Sequence, residues 1–251
     1  MKAFSVIVFL VIVAFVNCSN IPINGKIVGG QEVDITQYPY AVSVRNSNGH
    51  ICGGSIIAAN KILTAAHCTE GQDSASMTIR CGSSIADQGT SHKVIKIAQH
   101  PNFTDEYNHN DVSVLTIRPK ITFNSRSQPA KLAEKRAPDG SDVEICGWGV
   151  HYYGAPTAGV GQQKMRAVKL QVVNQEICNK DYNTTEISDK LMCAAARGKD
   201  SCQGDSGGAL INSINRRIVG ISSFGDECAK PGKPGVYTSV PNVLKFIRAQ
   251  L

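Results

Sequence analysis

The sequence predicts an all-β fold, a barrel or a sandwich, and two observations carry that expectation. Short β-branched runs recur along the chain, and clusters of Gly, Pro, Asn and Asp separate them. In chain order the runs are Ala41–Arg45, Met77–Cys81, Lys93–Gln99, Val112–Arg118, Lys169–Val173, Arg217–Ser222 and Gly235–Val240. A brief helical turn is expected over Gln175–Lys180. The clearest helix closes the chain: Pro241 suits a first turn, and Val243, Leu244, Ile247 and Leu251 then line one face. Residues Asn124–Gly140 are rich in Pro and charge, show no periodicity, and read as the link between two halves. No internal repeat is evident.

Bulk properties fit a folded, exported chain. Hydrophobic residues make up 42% and charged residues 18% of 251, enough apolar material for a core. The formal charge is +6. No run of Lys and Arg marks a nucleic-acid groove, so the positive surface reads as dispersed. Lys2 is followed by an apolar stretch, Ala3–Val16, with small residues up to Cys18. That stretch falls short of the roughly 20 residues that span a bilayer, so residues 1–18 read as a signal peptide and the product as secreted, extracellular and off the membrane. Removing Lys2 and Lys26 with the segments expected to be cleaved lowers the charge to about +4.

With Cys18 gone, eight cysteines remain: Cys52, Cys68, Cys81, Cys146, Cys178, Cys193, Cys202 and Cys228. Eight thiols allow 105 pairings, so counting alone settles nothing. No CxxC or HxxxH spacing supports a metal site. Sequons at Asn102-Phe103-Thr104 and Asn183-Thr184-Thr185 are glycosylation candidates.

Three stretches carry chemistry: Thr64-Ala65-Ala66-His67-Cys68, Asn110-Asp111-Val112-Ser113-Val114-Leu115, and Asp200-Ser201-Cys202-Gln203-Gly204-Asp205-Ser206-Gly207-Gly208. A serine hydroxyl is a poor nucleophile at neutral pH. An imidazole must take its proton, and a carboxylate must fix that imidazole's tautomer. His67, Asp111 and Ser206 supply the three groups. Asp111 opens an apolar strand, an odd place for a carboxylate without a buried partner, and His67 would be that partner. The glycines beside Ser206 permit a tight turn whose N–H groups point into a site. His50, His92, His100, His109 and His151 lack such context and read as surface or structural residues.

The order His, Asp, Ser, with Lys26-Ile27-Val28-Gly29-Gly30 upstream, resembles a trypsin-like (chymotrypsin-family) serine protease zymogen. The chain is similar to secreted invertebrate-type digestive trypsins. The resemblance implies two packed six-stranded antiparallel β-barrels, roughly 27–125 and 140–240, with a C-terminal α-helix over 241–251. It implies an activation propeptide over 19–26 and a protease domain over 27–251. It also implies bridges Cys52–Cys68, Cys178–Cys193 and Cys202–Cys228, leaving Cys81 and Cys146 either paired with each other or free.

By the same resemblance the amides of Gly204 and Ser206 form the oxyanion hole, and Ser223 steadies Asp111. Asp200 sits at the base of the substrate pocket, with Gly225 and Gly235 as its walls. Gln203, Ser223 and Phe224 complete the substrate-binding set. Cleavage after Lys26 would free the Ile27 α-ammonium to pair with Asp205, so activity should decline at alkaline pH as Ile27 loses its proton. The implied activity is hydrolysis after Lys or Arg, since a carboxylate at the end of a deep slot rejects other residues. Expected partners are peptides with Lys or Arg at the cleaved bond and protein protease inhibitors; no nucleic acid, membrane, cofactor or metal is expected, and the chain should be a monomer.

Several positions depart from the family pattern. Phe224 stands where Trp is usual, Glu227 where Gly is usual, Ala209 where Pro is usual, and Lys61 where Trp often precedes the His motif. The stretch Cys81–His92 carries only Asp87 of the acidic set of a calcium loop. Glu227 and Ala209 keep open an alternative, a catalytically impaired binding protein on the protease fold.

Overall fold

The computed structural model describes residues 29–104, 108–150, 164–183 and 187–251. The expected signal peptide and propeptide, with Lys26 and Ile27, lie outside the described residues, as do His151, Thr184 and Thr185.

A short strand, β1 (Gln31–Glu32), precedes a first barrel of six strands: β2 (Ala41–Asn46), β3 (Gly49–Ala58), β4 (Lys61–Thr64), β5 (Thr78–Cys81), β6 (Thr90–Gln99) and β7 (Ser113–Arg118). They close in the order β2-β3-β4-β7-β6-β5. After β8 (Lys131–Leu132), within the expected link, come β9 (Asp142–Gly147), β10 (Arg166–Val173), β11 (Leu191–Ala195), β12 (Ala209–Asn212), β13 (Arg217–Phe224) and β14 (Gly235–Ser239). Their order is β10-β11-β14-β13-β12-β9, and antiparallel pairing of β9 with β10 closes the second barrel. β1 adds to β10 and β8 runs parallel to β13. The expected architecture of two six-stranded barrels is therefore found.

Alternation decides which side chains fill each barrel. Ile79, Leu115 and Ile117 are fully buried in the first. Val168, Leu170 and Val172 alternate inward along β10 in the second. Burying such a side chain stabilises the fold by about 1.5–3 kcal/mol. At Asp111 the Val112 amide turns back onto the Asn110 carbonyl (2.7 Å), so the β7 ladder begins at Ser113 rather than Val112.

α1 (Gln175–Tyr182) is capped by Asn174, whose side chain accepts from the Glu176 and Ile177 amides. It extends two residues beyond the expected turn. α2 (Val240–Arg248) buries Val243, Leu244 and Ile247 as expected. Leu251 does not join them. The Gln250 amide bonds back to the Ile247 carbonyl, the helix ends at Arg248, and Leu251 is 61% exposed. No helix among the described residues is long and apolar enough to cross a membrane.

Candidate active site

The loops after β4, before β7 and before β12 bring the three motif stretches together. Asp111 is fully buried. Its Oδ1 accepts the His67 backbone amide (2.9 Å), and its Oδ2 accepts His67 Nδ1–H (2.7 Å) and Ser223 Oγ–H (2.5 Å). An ionised carboxylate can only accept, so Nδ1 carries the imidazole proton and Nε2 keeps a lone pair for base work. Thr238 Oγ donates to the Asp111 carbonyl (3.1 Å), locking the backbone as well.

Ser206 sits on a tight turn. The Gly207 amide bonds to Ser222 O (2.8 Å), Gly208 to Asp205 O (2.9 Å), and Gly53 to Ser206 O (2.8 Å). Gly207 has φ +78°, and a Cβ there would fall 2.7 Å from the Gly53 carbonyl, so only glycine fits. The Gly204 and Ser206 amides donate to no acceptor among the described residues, leaving both donors open. Ser206 Oγ makes no hydrogen bond to the imidazole in this substrate-free geometry, where catalytic contacts are commonly long.

His50 was expected to be surface or structural, and the structure gives it a specific post. Its Nε2–H donates to the Gly204 carbonyl (2.9 Å) while Nδ1 faces Ser43 Oγ (2.8 Å). Burial pushes its pKa down to about 4, so the ring stays neutral and this tautomer holds the loop carrying the open amides. Nothing in the local sequence marks it, because its partners lie 7 and 154 residues away. Of the other histidines, His92 is buried with Nδ1 on the Pro119 carbonyl (2.7 Å), and His100 packs on Phe246.

A cavity of about 210 Å³ opens beside Ser206, and Asp200, Gln203, Phe224, Gly225, Glu227 and Gly235 are among its lining residues. Ser223 is not: its neighbour Ser222 faces the cavity while Ser223 turns to Asp111. Asp200 is 4% exposed. Its Oδ2 accepts the Ala229 amide (3.0 Å), and its buried Oδ1 has no hydrogen-bond partner among the described residues. Burial pushes this carboxyl up to about 6, with the Ala229 amide pulling the other way. Any Cβ on Gly235 would stand 2.8 Å from that free oxygen, so a side chain there would close the floor.

Tyr182, which sequence reasoning did not single out, buttresses the wall. Its hydroxyl donates to Pro234 O (2.7 Å), and its ring meets Phe224 edge-on. Glu227 has φ +65°, the left-handed region that explains why glycine is usual there, and its carboxylate is engaged by Lys230 Nζ (2.9 Å).

Asp205 is fully buried and, among the described residues, accepts the Gly149 (2.8 Å) and Cys202 (3.0 Å) amides; burial pushes its carboxyl up to about 7.

Three disulfides join Cys52 to Cys68, Cys178 to Cys193, and Cys202 to Cys228. The first fixes the backbone beside His67 and the third clamps the pocket walls. Cys81 and Cys146 are buried and free, which removes the option that they pair with each other. Cys52, His67 and Cys68 cluster closely enough to suggest a metal site, but both sulfurs are spent in a disulfide and offer no thiolate.

Comparison with known proteins points the same way. Residues 27–247 match the family model for Trypsin. Hypodermin-B of Hypoderma lineatum is 38% identical over 229 residues, covering 90% of this chain and 87% of that protein. Trypsin delta of Drosophila erecta is 34% identical over 228 residues (90% and 88%), and a trypsin of Sarcophaga bullata is 33% identical over 248 residues (95% and 96%).

Proposed function

The chain belongs to the trypsin family of serine endopeptidases, and from that premise we propose that it is secreted as a zymogen and cuts after Lys or Arg. In this reading Ser206 Oγ attacks the scissile carbonyl while His67 Nε2 takes its proton and later delivers it to the leaving amine. Asp111 holds the imidazole in the working tautomer and stabilises its cation. The open amides of Gly204 and Ser206 receive the oxyanion, each such donor being worth about 3–4 kcal/mol in the transition state.

One observation carries the specificity. The buried Asp200 Oδ1 has no hydrogen-bond partner among the described residues and lies at the end of a cavity that begins at Ser206. A buried anion left unpaired is costly, and a long cationic side chain entering from the Ser206 side would relieve it. An apolar side chain would bury the charge further. Gln203, Phe224, Gly225 and Gly235 shape the slot, and Ser223 offers its backbone to the bound substrate.

Activation follows from the other buried carboxylate. Asp205 has two amides and no cation among the described residues, which suits an incoming Ile27 ammonium after cleavage behind Lys26. We take the enzyme to act as a monomer on proteins and to be open to protein inhibitors.

The test is hydrolysis of paired peptides ending in Arg, Lys and Phe by protein cleaved after Lys26, beside a Ser206→Ala control. Cleavage after Arg and Lys alone, abolished in the control, is expected. No cleavage of any peptide by correctly processed protein would instead favour a binding protein on the protease fold.

A further inference from the structure

The barrel register gathers cations that the sequence scatters. On the outer wall of the first barrel, Lys93 of β6 stands directly opposite Arg118 of β7. One row along, Lys61 of β4 and Lys96 of β6 flank Thr116 of β7 from either side. Lys61 Nζ reaches Thr116 Oγ (3.3 Å), so the row shares one face. Lys120 follows two residues after Arg118, and Arg80 lies two residues along β5 from Thr78, the strand partner of Lys93. Strand neighbours sit about 4.8 Å apart and rows about 6.6 Å apart, so the five strand residues form one band, with Lys120 just past the end of β7.

The strands of the band carry no counter-charge of their own. β4, β5, β6 and β7 contain no Asp or Glu, and none of the six residues makes an ion pair among the described residues. Of the carboxylates in the flanking turns, Asp87 pairs with Arg45 and Asp73 accepts the Ala75 amide through one oxygen. Like charges directly opposite on a sheet are destabilising, and Lys93 with Arg118 is such a pair.

We propose that this face binds a linear sulfated polysaccharide. The close spacing calls for a partner charged on nearly every ring, which sulfation supplies and a uronate on alternate rings does not. A nucleic acid fits less well, because the wall is a convex barrel and β4–β7 contain no Phe, Tyr or Trp on which bases could stack. The band lies toward the far ends of the strands from His67 and Asp111: Thr64 pairs with Ser113 near the site, whereas Lys61 pairs with Thr116. Binding there would anchor the protein and leave the cleft open. The inference does not depend on the protease reading.

The experiment is salt-gradient elution of the full chain from immobilised heparin, with affinity for a sulfated octasaccharide measured by calorimetry. The variant K93Q/K96Q/R118Q/K120Q is compared with K131Q/K135Q/K169Q/K245Q, which has the same net charge. The first should lose affinity roughly tenfold or more and flatten the salt dependence, while the second binds as the native chain does. Lys93→Gln with Lys96→Gln gives a milder test should the fourfold variant fail to fold. Equal losses in both fourfold variants, absence of native binding at physiological salt, or equally tight binding of hyaluronate or duplex DNA would each overturn the proposal.

Discussion

Asp111 and Asp200 are both buried carboxylates within the same cleft, and their surroundings are opposites. Asp111 accepts three hydrogen bonds, two from His67 and one from Ser223. Asp200 accepts one from Ala229 and keeps an empty oxygen at the floor of a cavity. A satisfied buried charge fixes geometry, since moving any donor leaves it exposed to the low-dielectric interior. An unsatisfied one stores a demand that an incoming cation meets. One site in this protein holds; the other waits.

The sharpest way to break that contrast is Asp111→Asn. An amide there presents a donor as well as an acceptor, so the imidazole loses its preferred tautomer; kcat should fall about 10⁴-fold with KM little changed. A comparable rise in KM would mean that Asp111 contacts substrate instead. Asp200→Asn comes next. The value of kcat/KM for Arg peptides should drop about 10³-fold, chiefly through KM, with hydrolysis after Phe not reduced. A pure kcat loss would merge the two carboxylates into one role.

pH separates them further. Only ionised Asp200 attracts a cationic side chain, and its carboxyl is pushed up to about 6. For Arg peptides KM should therefore rise as pH falls through about 6, and Asp200→Asn should lose that rise in KM while keeping any fall in kcat, because His67 must still be neutral to act as base. The sign for stability is the reverse of the usual aspartate case. The folded-state pKa lies above the ordinary aspartate value of 3.8, so this contribution is greatest below about pH 4 and is lost as pH rises through about 6. Thermal melts of native protein against Asp200→Asn across that window should show the native chain losing ground. The smallest effect is expected at Glu227→Gly. The carboxylate is exposed and held by Lys230, and φ +65° favours glycine, so KM should stay within about twofold and stability should rise by less than about 1 kcal/mol. A large KM change would make Glu227 part of the pocket's electrostatics.

What the sequence disclosed was what lies close together along it. His67 beside Cys68, Asp111 at the head of an apolar strand, and Ser206 among glycines are local patterns, and the seven β-branched runs each fall on or overlap an observed strand. The runs do not include β3, β4, β9, β11 or β12, and in β3 the glycine pair, Gly53 and Gly54, weakens the strand signal. Those glycines are present because β2, β4 and the Ser206 loop crowd against them. Tyr182 and His50 were illegible for another reason. Their roles rest on contacts to backbone carbonyls far away in sequence, at Pro234 and Gly204, and no local pattern encodes such a partner. The cationic band belongs to the same class. Its members are separated by turns, and only strand register brings them onto one surface.

The docking of β1 on β10 has a kinetic meaning. Gln31 and Glu32 pair with Ala167 and Arg166, and the Arg166 guanidinium also grips the Gly30 carbonyl. Under the activation proposed above, a cut after Lys26 would leave Ile27 three residues from that anchor, able to reach at most about 11 Å from it. Its ammonium would then be a ligand on a short leash, held near Asp205 at an effective concentration on the order of millimolar or more. Insertion should then be first order, indifferent to dilution, and little contested by free amines in solution.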